Sequence, residues 1–121
     1  MSSTLNGRAL RTVDAKTANY TVIADTDNGK TFTNEGAAGA ITFALPAATV
    51  GQWFRFKVKV AQELRIDPNG TQTIALPSTG AQGAAGKYLT ADAVGEGVEL
   101  ECVKAGVWEA NYYTGTWTAE A

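Results

Sequence analysis

The longest strictly alternating run in the chain is "WFRFKVKV", residues 53–60. A period of two belongs to a β-strand, whose side chains point to opposite faces in turn. Phe54, Phe56, Val58 and Val60 therefore share one face, and Trp53, Arg55, Lys57 and Lys59 share the other. The first set is the expected contribution to a core. The second is a basic stripe that begins with an indole.

Short runs of the same kind fill the rest of the chain. They are "YTVIA" (20–24), "KTFTN" (30–34), "ITFALP" (41–46), "ELRI" (63–66), "TQTIALP" (71–77), "KYLTA" (87–91), "GVELECV" (97–103), "GVWEANYY" (106–113) and a closing "TWT". Turn-forming clusters such as "DTDNGK" and "DPNG" separate them, and no segment sustains a helical period. At 121 residues the chain is one domain with room for its own core. A hydrophobic fraction of 45% and a charged fraction of 18% suit a folded protein, and thirteen glycines suit many turns. The expected fold is all-β: an antiparallel β-sandwich or a flattened, jelly-roll-like barrel of about eight strands spaced about 8–12 residues apart. It occupies residues 17–121. Residues 1–16, polar and without period, are expected as an extended N-terminal arm.

Local signals add detail. "KAG" predicts a hairpin between 97–103 and 106–113, with Gly106 at positive φ. "IDPNGTQTI" (66–74) predicts a second hairpin, and "DTDNGK" an Asx-rich hairpin turn. Parity along 106–113 puts Trp108, Ala110 and Tyr112 on one face and Glu109, Asn111 and Tyr113 on the other. Cys102, in parity with Val98 and Leu100, is expected as a small core residue.

Chemical motifs are few. With no histidine and one cysteine, neither a Ser/His/Asp or Cys/His constellation nor a histidine/cysteine zinc site can be assembled. "GAQGAAGKY" (80–88) ends in Gly-Lys, but Ala81 stands where a phosphate loop needs glycine and Tyr88 where it needs Ser or Thr. Asp25 and Asp27 begin like a calcium loop, but Gly29 and Gly36 fall on later ligand positions. Glu99 and Glu101 lie i, i+2 on the outer face of one strand, a solvated setting for carboxylates. A carbohydrate-active enzyme built on dispersed carboxylates is the weakest of the functional readings. The expectation is no catalytic site, no cofactor and no metal.

The basic stripe raises the question of nucleic acid. A sheet platform for single strands sets aromatics on the same face as the cations. Here Phe54 and Phe56 lie opposite Arg55, Lys57 and Lys59, and the chain is net acidic at −2. Carboxylates are the expected partners, either Glu99, Glu101 and Glu109 on neighbouring strands or an acidic surface elsewhere. Charge is also uneven along the chain. Residues 1–17 carry Arg8, Arg11 and Lys16 against Asp14, a balance of +2. Residues 92–121 carry six carboxylates against Lys104, a balance of −5. That asymmetry suits contact with copies of the chain or with a charged partner. No apolar run nears the roughly 20 residues of a membrane span, and the N-terminus lacks the apolar core of a secretory signal.

The order of segments resembles a known group. "DTDNGKTFTNEGAAGAITFALPAATVGQWFRFKV", "LRIDPNGTQTIALP" and "GKYLTADAVGEGVELECVKAGVWEANYYTGTW" are similar to a small β-rich domain of tailed-bacteriophage virion proteins. Capsid decoration (cement) proteins, head fibres and tail fibres carry such domains. The likeness covers roughly residues 20–118 and rests on turn and core motifs, so it transfers no catalytic residue. Because the chain starts with Met and holds a single domain, the resemblance points to a decoration protein on the outer capsid surface of the virion. It implies a homotrimer or dimer that binds the major capsid protein at joints between capsomers, with no nucleic acid, no membrane and no enzymatic role. The expected contacts are Arg8, Arg11 and Lys16 of the arm, the Trp53, Arg55, Lys57 and Lys59 stripe, and Tyr113 and Trp117 as exposed aromatics. The alternative is a receptor- or glycan-binding module of a phage head or tail fibre, with Tyr113 and Trp117 stacking on sugars.

Overall fold

The computed structural model describes residues 4–5 and 8–121, with side chains from residue 10 onward. Thirteen short strands and one helical turn follow in order. They are β1 (Thr4–Leu5), β2 (Arg8–Ala9), β3 (Val13–Ala15), β4 (Tyr20–Thr21), α1 (Ala24–Asp27), β5 (Thr31–Thr33), β6 (Ile41–Ala44), β7 (Trp53–Lys57) and β8 (Leu64–Asp67). After these come β9 (Thr73–Ile74), β10 (Leu89–Ala91), β11 (Gly97–Lys104), β12 (Val107–Thr114) and β13 (Thr118–Ala119). β1 and β2 pair with each other. The remaining strands form two sheets, ordered β3-β5-β7-β11-β12-β9 and β13-β10-β8-β6-β4. The fold is an all-β, sandwich-like arrangement.

Its sheets are mixed, where the sequence predicts antiparallel pairing. From β3 to β8 the chain alternates between the sheets, one strand at a time. Sheet neighbours are thus every second strand, and they run parallel: β3, β5 and β7 in the first sheet, β4, β6 and β8 in the second. Parallel strands need a crossover, and here each crossover is itself a strand of the facing sheet. Two expected hairpins fall to this winding. "DTDNGK" joins β4 to β5 across the sandwich through α1, and "IDPNGTQTI" carries β8 of the second sheet to β9 at the far edge of the first. In the C-terminal part β10, β11 and β13 pair antiparallel and only the β12–β9 contact is parallel; the β11–β12 hairpin forms as expected, with Gly106 at φ +83°.

Val13–Ala15, counted above with the arm, form an edge strand instead. Thr31 N–H donates to the Thr12 carbonyl (2.9 Å) and Lys16 N–H to that of Thr33 (2.9 Å). A strand of three residues is too short to display a period.

The core lies between the sheets. Phe32, Phe43 and Phe56 come from successive strands of alternate sheets, with centroids 5.3 to 5.8 Å apart. Phe54 packs on Trp108 at 5.7 Å, and Cys102 is fully buried beside Val98 and Leu100. Phe54, Phe56 and Val58 are fully buried, and Val60 packs against the core half-buried. Each buried phenylalanine contributes about 1.5–3 kcal/mol by leaving water.

One buried polar residue fastens the coil. Asn34 is fully buried, and its Oδ1 accepts the N–H groups of Lys59 (2.7 Å) and Val60 (3.2 Å). Its Nδ2 donates to the carbonyls of Val60 (3.3 Å) and Gln62 (3.1 Å). It supplies the partners that the crossover after β7 lacks, as buried backbone requires.

Candidate partner-binding face

The outward residues of β7, β11 and β12 form rows across the first sheet. β7 and β11 are neighbours, with Arg55 in register with Glu99 and Trp53 with Glu101. Arg55 Nη2 lies 3.0 Å from Glu99 Oε1, so the carboxylate expected for this cation belongs to the chain itself. Glu99 also faces Arg11 Nη1 at 3.4 Å and accepts from Asn111 Nδ2 at 3.0 Å. Burial pushes the Glu99 carboxyl up, but the hydrogen bonds from Asn111, Arg55 and Arg11 outweigh it and hold the pKa below the usual value.

The aromatic members are set by local backbone. Trp53 N–H donates to Asn28 Oδ1 (3.0 Å), and its carbonyl accepts Gly29 N–H (2.8 Å). A Cβ at Gly29, where φ is +81°, meets the indole at 3.2 Å, so glycine is what lets the turn lie against the ring. Arg11 covers that ring at 4.6 Å from its centroid. Tyr112 reaches the same face through a β-bulge. Leu100 faces Ala110 while Glu99 faces Tyr112, leaving Asn111 as the extra residue. The parity expected for Tyr112 is therefore reversed, and its ring lies 4.8 Å from the Arg55 guanidinium.

The stripe thus divides. Trp53 and Arg55 sit in a network closed within the chain. Lys57 and Lys59 are exposed and, among the described residues, make no ion pair. Lys57 is in register with Gly97, and Gly97 with Thr114; Tyr113 is in register with Val98 one step along. Lys57 and Lys59 therefore lie at one end of the sheet's outer face. Tyr113, opposite buried Val98, is turned by the same bulge to the other face, the reverse of its expected parity, and is 40% exposed there.

Of the arm residues, Arg11 is docked on Trp53 as described. The Lys16 ammonium lies 3.5 Å from Asp14 and 3.9 Å from the Tyr20 ring centroid. Arg8 has its backbone in β2, and its side chain lies outside the described residues. Trp117 is a correction. It is 4% exposed, and its Nε1 donates to the carbonyls of Gly97 (3.1 Å) and Thr114 (3.2 Å). The chain crosses from β12 to the second sheet here, turning at Gly115 with φ +80°, and this carries the indole into the core.

Two polar sites elsewhere are committed to structure. A depression of about 170 Å³ is lined by Glu63, Thr90, Asp92 and Glu96, smaller than the ~300–1,000 Å³ of ligand pockets. Glu63 is held by Arg65 (2.8 Å) and Thr90 (3.1 Å), and Glu96 by the backbone N–H groups of Asp92, Ala93 and Thr116. Buried Asp27 accepts from Tyr20 Oη (2.7 Å) and Ile23 N–H (2.8 Å) and pairs with Lys30 (2.9 Å). The hydrogen bond to Asp27 pushes the Tyr20 phenol up from 10.0 to about 12. Against burial, the bonds from Ile23, Lys30 and Tyr20 keep Asp27 below its usual value.

No protein-family model matches the chain, and no curated protein matches it. Among the described residues, no helix is long and apolar enough to cross a membrane.

The rows were only partly visible in the sequence. Parity identifies Arg55 and Glu99 as outward residues. Tyr112, Asn111 and the Asn28–Gly29 support for Trp53 depend on a bulge and a crossover that no local signal marks.

Proposed function

We propose that the chain is a non-enzymatic structural protein of a bacteriophage virion, which decorates the outer capsid surface and stabilises it by binding the major capsid protein at joints between capsomers. The observation that supports this is the open end of the first sheet, where Lys57 and Lys59 are exposed and, among the described residues, make no ion pair. Two exposed lysines without a carboxylate partner of their own fit an acidic patch on another protein. Each such contact is weak, and many copies spread over a shell add their effects.

The test is co-sedimentation of the full chain with expanded capsid shells of the phage that encodes it. The wild type is expected to bind in fixed ratio, and Lys57→Glu/Lys59→Glu to bind about tenfold more weakly. Undiminished occupancy by that variant overturns the contact, and location of the chain on the tail overturns the decoration reading.

The fibre alternative keeps one favourable observation. Tyr113 is 40% exposed, and its ring offers a surface on which a sugar can stack. Burial of Trp117 removes the other aromatic expected for it. Glycan-array binding that is lost in Tyr113→Ala, with no binding to capsids, favours this second reading.

A further inference from the structure

Glu101 and Glu109 stand directly opposite each other across β11 and β12. Like charges in that position destabilise a sheet. The Asn111 amide donates to Glu101 (2.8 Å), but among the described residues neither carboxylate has a cationic partner. In the same row, next to Glu101, stands Trp53; Glu99 lies in the next outward row, opposite Arg55. Trp53 and Glu99 already hold one guanidinium, that of Arg11, at 4.6 Å from the ring centroid and 3.4 Å from the carboxylate. The face therefore displays the chemistry it accepts: an arginine laid on an indole and facing an acidic row.

The Arg11 contact is loose. Its side chain is 47% exposed, and Leu10 and Val13 around it are 71% and 65% exposed. A cation–π contact and an ion pair this open are each worth about 0.5–1 kcal/mol, so Arg11 exchanges readily. The segment that carries it runs into β3, the outermost strand of its sheet, and can leave the domain without breaking an inner ladder. We propose that this face is where copies of the chain join, each receiving the N-terminal segment of a neighbour so that the neighbour's Arg11 lies on Trp53 and Glu99. Exchange preserves the contacts made within one copy. It makes those contacts between copies, and it carries Arg8, three residues before Arg11, as a cation for the acidic face that holds the Glu101–Glu109 pair. The inference deepens the multimeric part of the decoration reading, and its test needs no capsid, so the two fail separately.

Two variants of the full chain test it by sedimentation velocity, with far-UV circular dichroism confirming the fold of each. Arg8→Glu/Arg11→Glu has an impaired segment and an intact face; Glu101→Lys/Glu109→Lys has the reverse. The wild type is expected to sediment as a multiple of 12.7 kDa at about 100 µM. Each variant alone is expected to associate at least about tenfold more weakly, and an equal mixture to recover association, because each now meets a complementary charge. A wild type that stays monomeric, a variant that associates like the wild type, or a mixture that fails to recover overturns the proposal.

Discussion

The two ends of the chain solve one problem, pairing every strand, in opposite ways. Between β3 and β8, sheet neighbours are never consecutive in sequence, and each strand reaches its partner only after a pass through the facing sheet. In the β11–β12 hairpin the partner follows after a tight turn at Gly106. The hairpin is held by local geometry. The coil is held by what its strands place between the sheets, so its stability resides in buried side chains distant in sequence.

The largest break in that contrast is Phe43→Ala. Phe43 lies against both Phe32 and Phe56 of the other sheet, and its loss is expected to cost about 3–5 kcal/mol in urea unfolding. A cost below about 1 kcal/mol removes the idea that the aromatic stack holds the coil. Next is Asn34→Ala, expected to cost about 2–3 kcal/mol by leaving part-buried backbone groups of the 59–62 crossover without their partner. Hydrogen exchange sharpens the comparison: protection of Lys59 and Val60 amides falls first, while that of β11 and β12 persists. Protection lost evenly across both regions contradicts a separate role for Asn34.

On the hairpin side, Gly106→Ala is expected to cost about 1–2 kcal/mol. Its φ is +83° and the nearest atom to a new Cβ is 4.0 Å away, so the cost is conformational and not steric. The smallest expected effect is a pH dependence at the coil's first turn. Tyr20 has a folded pKa above its unfolded one, so its contribution is complete below pH 10 and is lost as pH rises towards 12. Asp27, shifted down, contributes at neutral pH and loses its share as acid titrates it below the usual carboxylate range. Thermal melts of Tyr20→Phe between pH 9 and about pH 12 are expected to lack the alkaline decline attributable to this pair. An unchanged decline in that variant assigns it to other groups.

These differences also explain what the sequence makes legible. Period-two alternation identified Phe54, Phe56, Val58 and Cys102 as core, because inward and outward parity does not depend on which strand lies alongside. The same parity put Arg55 on the face where it meets Glu99. Pairing direction did depend on the neighbour, so "IDPNGTQTI" read as a hairpin although its halves belong to different sheets. Trp117 was misplaced because a single indole between threonines has no period, and only the turn at Gly115 sends it inward. Tyr112 and Tyr113 were misplaced because one extra residue in a ladder reverses every face beyond it.

The position of β9 has a consequence for how the chain is made. β9 lies at the far edge of the first sheet, parallel to β12, with the whole hairpin between it and β7. During synthesis it leaves the ribosome well before its only neighbour in that sheet exists. The coil can stack in the order it emerges, but β9 must wait beside an unfinished edge until β11 and β12 are complete. Closure of that edge is therefore expected as a late, sequence-distant step, slower than formation of the hairpin itself.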